Sequence, residues 1–414
     1  MRPIGLVMWG VLLVAGCAGD DGATTPTGST GATTATNAGT TAGESTTAVG
    51  STTADGTADE TATEGTGPAP LPARLGVSAD WAARTLSVID LDALAAGAVT
   101  REEVVARTID LSAYAPGPLQ VELAPDGLTA VVAVSPGFFG GFVGGLIGAV
   151  AVEQDGTLLV VNLETEDITE IATMHVPMGI AITPDGTQAF TANYGLDDPV
   201  GSTLSVIDLV GMTVVEEVEV GDRPEQVSLN EDGTLGMLNV VALGGVRVFQ
   251  TSDPSGTLSD VLEVGADPSD VAFLPGTSYA VVSNSLDPSN YVVVDVTDPG
   301  APAEVAVGPS PVGIHYAATS IPGTTDVVLG VSDFASLSLH RVSVAADGTP
   351  TLTWETTTPG ATFPLGIAID VQANLALAPA PGLNGLVVQG LDGGPPTVVP
   401  WQDEVGPTYV AVAP

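Results

Sequence analysis

The sequence predicts an all-β chain, a closed ring of seven four-stranded antiparallel blades, on three observations. Seven prolines, Pro118, Pro177, Pro224, Pro268, Pro311, Pro364 and Pro407, each precede a Val or Ile by three residues, at spacings of 43 to 59 residues. The string TLSVIDL occurs twice, at Thr85 to Leu91 and at Thr203 to Leu209. Between the prolines, runs of Val, Ile and Thr are broken by Gly, Pro, Asp or Asn every eight to twelve residues, and helical periodicity is almost absent. A repeat of this size buries its apolar faces only against its neighbours, which is the logic of a β-propeller.

The chain begins MRPIGLVMWGVLLVAGC: one positive residue, Arg2, an apolar run from Ile4 to Val14, then small residues up to Cys17. Residues 1–16 read as an export signal too short to span a bilayer. Val14, Ala15, Gly16 and Cys17 resemble the lipobox of bacterial lipoproteins, in which Leu is commoner at the Val14 position. The resemblance implies cleavage before Cys17 and acylation of its thiol and new amino group, an anchor of several acyl chains. Ala18 stands where an aspartate retains some lipoproteins at the inner membrane, so the resemblance implies the outer membrane. The alternative is an ordinary signal peptide with an incidental cysteine. Cys17 is the sole cysteine, so no disulfide can form within the chain.

Residues 17–70 are dominated by Thr, Gly, Ala and Ser, with no basic or aromatic residue. Such a segment cannot bury enough surface to fold and reads as a disordered tether, with a mean span of roughly 40 Å. Residues 71–414 form the propeller, with 42 acidic residues against seven Arg and no Lys, a formal charge of −35. That field repels phosphate backbones and excludes nucleic acid as a partner. It favours cations or basic proteins, or serves only to keep a monomer soluble.

The unit from Pro177 shows the elements of one blade in order. GIAIT is a first strand, PDGT a turn, QAFTANY a second strand, LDDPVGS a loop, STLSVIDL a third strand and MTVVEEVEVG a fourth. Asp185-Gly186, like Asp126-Gly127 and Asp232-Gly233, provides the positive φ of a tight hairpin. At the ends, PTYVAVAP from Pro407 is a first strand with nothing after it, and Arg74 to Asp80 is a second strand with none before it. Together they complete one blade and close the ring.

TPDGTQAFTANYG, followed by TLSVIDL and VEVGDRPEQV, resembles the YVTN-type propeller repeat. The likeness spans residues 71–414, is strongest from Pro177 to Asp232, and weakens in the units from Pro311 and Pro364, where SIPGTTD and VQAN replace the Asp-Gly turn. The resemblance implies a seven-bladed propeller, often exported, in a superfamily with lactonase-like members and many without known activity.

Candidate sites follow from this topology. The loops after the second strands and before the first strands share one rim, which carries Asp80 with Trp81, Asp197 with Asp198, Asp222, Asp287, and Asp333 with Phe334. A ring of carboxylates is a possible Ca²⁺ site, and solvated turn aspartates are the other reading. Four residues after each proline stand Glu122, Ala181, Ser228, Ala272, His315, Ala368 and Ala411, so Glu122 and His315 break a run of small residues facing the channel. They read as a base and an acid with Arg223 stabilising an oxyanion, or as satisfied core polar groups. His175 and His340 make no zinc pattern, and no nucleophile elbow, P-loop or dinucleotide fingerprint occurs in a suitable context.

One unit carries an insertion from Pro136 to Gly156 rich in Gly, with Phe138, Phe139 and Phe142. It reads either as an apolar finger for a partner or as a hairpin extension packed on its own blade. The sequence therefore supports a lipid-anchored binding or scaffold module for a protein, glycan or cation. A lactonase-like hydrolase using Glu122, His315 and Arg223 is the alternative, and a purely structural envelope protein a third class.

Overall fold

The computed structural model describes residues 68–135, 156–173, 176–195, 200–285, 290–308, 313–333, 335–361, 364–401 and 406–413. They form seven four-stranded antiparallel sheets. The innermost strands are Pro407–Val412, Pro118–Leu123, Pro177–Ile182, Pro224–Leu229, Pro268–Phe273, Ile314–Ser320 and Ala368–Asp370, numbered below as blades 1 to 7.

Blade 1 joins the two ends as expected. Pro407–Val412 pairs with Leu75–Asp80, placing Val77 opposite Ala411 and Ser78 opposite Val410. The Asp-Gly turns also form as read: Gly127, Gly186 and Gly233 have φ of 66°, 71° and 70°, a region that favours glycine. In the first of these turns Asp126 accepts from the backbone N–H of Leu128 and Thr129, each at 2.8 Å. Side chains alternate along each strand, so Val, Ile and Leu from adjacent blades meet in buried clusters, as Val281, Val293, Leu329 and Val342 do between blades 5 and 6. Two short helices not read from the sequence, Leu91–Ala95 and Arg101–Val104, lie between the third and fourth strands of blade 1. Asp90 caps the first by accepting from Asp92 and Ala93 N–H, and Thr100 with Glu103 forms a capping box on the second.

In blade 6 the register departs from the proline count. Glu122 of blade 2 pairs with Val131, and the residue pairing at the corresponding place in blade 6, with Val328, is Thr319. The turn closures agree: Ala124 N–H donates to Thr129 O in blade 2, and Ile321 N–H to Asp326 O in blade 6. Six residues before each closure stand Pro118 and His315. His315 therefore occupies the place of the register proline, four residues after Pro311, and is not the counterpart of Glu122. In blade 2 the ladder slips just after the proline, and in blade 6 it slips just after His315.

Candidate functional site

The first strands surround a channel, and two residues after each register position the chain carries Gln120, Gly179, Gln226, Asp270, Ala317, Gly366 and Tyr409. Two of these are glycines for steric reasons. A Cβ on Gly366 would lie 2.2 Å from the Tyr409 ring, and one on Gly179 would lie 2.5 Å from the Gln226 backbone. The space they release lets larger side chains close the middle of the channel. With its amide oriented to suit its neighbours, Gln120 accepts from the Tyr409 hydroxyl at 3.2 Å and donates to the Met178 carbonyl at 3.3 Å. The channel narrows here to a gap of about 10 Å³ between Leu119, Met178, Glu225, Ser269, Leu365 and their neighbours.

Beyond this constriction, toward the face bearing the Asp-Gly turns, lies a cavity of about 370 Å³. All seven blades contribute to it. Its polar lining includes Glu122, Gln226, Ser228, Asn230, Asp270, Thr319 and Tyr409, and its apolar lining Ile180, Val271 and Ile367; among the described residues no Lys, Arg or His lines it. Burial, then the Asp270 charge, push the Glu122 carboxyl up to about 8, against the opposing pull of the neighbouring Tyr409 and Gln120 side chains. Burial pushes Asp270 up to about 7, although it accepts from Ala318 N–H and Val271 N–H, each at 2.8 Å. Burial, Glu122 and Asp270 together hold the Tyr409 hydroxyl well above the usual tyrosine range. The cavity thus holds two carboxyl groups poised to gain or lose a proton near neutral pH.

The three residues read as a catalytic set occupy different places. Glu122 lines the cavity, whereas His315 and Arg223 do not. Arg223 lies beyond the constriction, in the left-handed region with φ of 60°, its guanidinium 5.5 Å from the Tyr194 ring centroid and donating to the Tyr194 hydroxyl at 3.3 Å. His315 is 0% exposed and stands edge-on to Tyr291, with ring centroids 6.3 Å apart.

The rim residues divide similarly. Asp80 is 0% exposed and ties the closing blade together, accepting from the Ser78 and Ser87 hydroxyls and from Trp401 Nε1. Burial raises its pKa to about 6 against those bonds. Trp81 is buried against Leu119, Val176, Met178 and Leu365, and its Nε1 donates to Ser135 O at 3.0 Å. Neither presents a side chain on an open rim. Asp222 and Asp333 are exposed, and Asp333 accepts from Ala335 N–H and Ser336 N–H within its own loop. Those bonds hold its carboxyl below the usual range. Among the described residues no three His, Cys, Asp or Glu side chains group as metal ligands. Cys17, Phe138, Phe139, Phe142, His175, Asp197, Asp198, Asp287 and Phe334 lie outside the described residues.

No family model matches the chain, and no curated protein matches it in sequence. Its structural neighbours are numerous and distant. A functionally unknown protein from Desulfotomaculum acetoxidans aligns with a TM-score of 0.64 and 14% identity, over 82% of this chain and 98% of the other. The periplasmic gluconolactonase of Pseudomonas aeruginosa aligns with a TM-score of 0.62 and 15% identity, over the same shares. The structure of U3-55K aligns with a TM-score of 0.55 and 10% identity, over 73% of this chain and 84% of the other. These likenesses show the β-propeller fold.

Proposed function

We propose that the chain is an exported, lipid-anchored binding module whose propeller takes a small molecule into the cavity at the turn-bearing end of its channel. The cavity carries this reading: its 370 Å³ falls within the about 300–1,000 Å³ of small-molecule sites, with polar groups set among apolar ones. Cys17 and the following tract supply the anchor and tether, on the strength of the lipobox resemblance and the composition. Two measurements test the proposal. Cys17→Ser should move the protein from the membrane to the soluble fraction; retention in the membrane overturns the anchor. A small-molecule library screened by thermal shift should yield ligands whose effect disappears in Ser228→Trp, a substitution that fills the cavity. Hits that shift both proteins equally place binding elsewhere.

A lactonase-like hydrolase is the second reading, favoured by the pairing of Glu122 and Asp270. Carboxyls titrating at about 8 and 7 provide an acid and a base near neutral pH. The likeness to a gluconolactonase makes gluconolactone the first substrate to assay. Turnover abolished by Glu122→Gln with unchanged folding supports this reading; no turnover above the spontaneous rate rejects gluconolactone as the substrate.

A further inference from the structure

The cavity on the channel axis is lined by charge of one sign. Glu122 enters it from blade 2 and Asp270 from blade 5, so the two carboxyls come to it from different sides of the ring. The Asp270 carboxyl is fixed in place, one oxygen accepting the N–H of Val271 and the other that of Ala318, each at 2.8 Å. A carboxylate offers about four lone-pair sites, so both oxygens keep capacity for a further donor. Among the described residues the lining holds no positive side chain. Arginines are placed elsewhere: Arg74 bridges Asp92 and Asp370, Arg341 bridges Asp326, Arg247 donates to the Ser259 carbonyl, and Arg223 stands beside Tyr194 beyond the constriction. Around the two carboxyls, Ser228, Asn230 and Thr319 add neutral polar groups, and Ile180, Val271 and Ile367 add apolar surface.

We propose that the cavity selects an organic cation, a primary ammonium on a compact apolar body, with the charged head between Glu122 and Asp270. This rests on the small-molecule reading of the cavity and names the class of molecule it takes. An ammonium carries three donors and no acceptor, which suits a lining whose charged groups are acceptors when ionised. An anion would enter against both carboxyls and against the formal −35 of residues 71–414. A neutral guest would leave the cost of burying the two carboxyls uncompensated. The pair is linked in the way a cation exploits. Burial raises both groups, and the Asp270 charge, present above about 7, helps hold a proton on Glu122 up to about 8. An ammonium between them offsets that repulsion, so Glu122 loses its proton as the guest arrives: one positive charge enters and one leaves. Of the other titratable groups near the pair, Tyr409 and Tyr316 are held neutral by burial, and Glu225 and Asp267, beyond the constriction, are raised by burial.

A charge series on one apolar body tests this. Cyclohexylmethylamine, cyclohexylmethanol and cyclohexanecarboxylate share a ring and differ in charge, and the amine stays protonated up to about pH 10. In calorimetric titrations of the intact protein at pH 8 and low salt, the amine should bind at least about tenfold more tightly than the alcohol, and the carboxylate should not bind. The sign of the pH dependence follows from linkage: the bound state holds fewer protons than the free one, so affinity rises with pH. The amine should gain about tenfold from pH 6 to 8, and the alcohol should gain nothing. Heats measured in buffers of different ionisation enthalpy at pH 7.5 should show release of about half a proton to one proton per amine bound. Glu122→Gln should weaken the amine about tenfold, reduce that release and leave the alcohol unchanged. If this variant fails to fold, the wild-type charge series and proton release still decide. Amine binding without proton release, or amine binding that survives the cavity-filling Ser228→Trp, overturns the cation assignment. So does an alcohol or carboxylate bound as tightly as the amine, or no binding of any probe up to about 10 mM. Each of those results leaves the small-molecule reading standing, which falls only if the library yields no ligand that Ser228→Trp removes.

Discussion

Glu122 shows how one side chain joins stability to chemistry. Its carboxyl opens on the cavity but is enclosed enough for burial to raise its pKa to about 8. Because the folded value exceeds the unfolded one near 4.3, its stabilising effect is complete below that value and is lost as pH rises through about 8. Wild-type protein should therefore melt at progressively lower temperature between pH 5 and 9. Glu122→Gln keeps the shape but cannot ionise, so its decline should be shallower, and at pH 9 it should melt several degrees above wild type. Parallel curves for the two proteins would show that Glu122 is ionised already at neutral pH. Asp270 adds the same sign with its midpoint at about 7, so the residual slope in the variant belongs largely to it.

At the scale of the strand, the repeat was legible because Val and Ile at fixed distances from a proline mark the faces that pack between blades. The ring closure was legible for the same reason, since Pro407–Val412 and Leu75–Asp80 each lack the partner that the other supplies. Deleting Pro407 to Pro414 removes that strand, exposes the edge of Leu75–Asp80, and takes Tyr409 from the channel. It should lower the melting temperature by more than about 10 °C or abolish folding; a change of a degree or two would show that the blade survives without its inner strand. The site was less legible. Counting four residues from each proline finds Glu122 but misses Gln120, Gln226, Asp270 and Tyr409, which stand two residues on. A signal was present there, because Gly179 and Gly366 at that position mark space lent to a neighbour's side chain. The count failed outright in blade 6, where His315 replaces the proline and Pro311 lies four residues upstream. Asp80 was misread because its position at a strand end resembles a rim, whereas hydroxyls from its own blade and the Trp401 indole enclose it.

For the whole molecule, charge is the property that no single contact balances. A formal −35 on residues 71–414 favours expansion, and the seven arginines are partly committed to structure: Arg74 bridges Asp92 and Asp370, and Arg341 bridges Asp326. Repulsion among the remaining carboxylates is long-ranged at low salt, where the Debye length is about 30 Å at 0.01 M, and falls to about 8 Å at 0.15 M. Raising NaCl across that range should therefore raise the melting temperature by a few degrees, with most of the gain below 0.15 M. The same experiment separates general screening from a specific cation site. If the acidic surface acts only as a field, calcium and magnesium chloride at equal concentration stabilise equally, because both carry two charges and only a built site distinguishes their coordination. A calcium shift that exceeds the magnesium shift and saturates at low millimolar concentration would instead establish a calcium site, and loss of that excess on mutating Asp197, Asp198 or Asp287 would locate it on the rim.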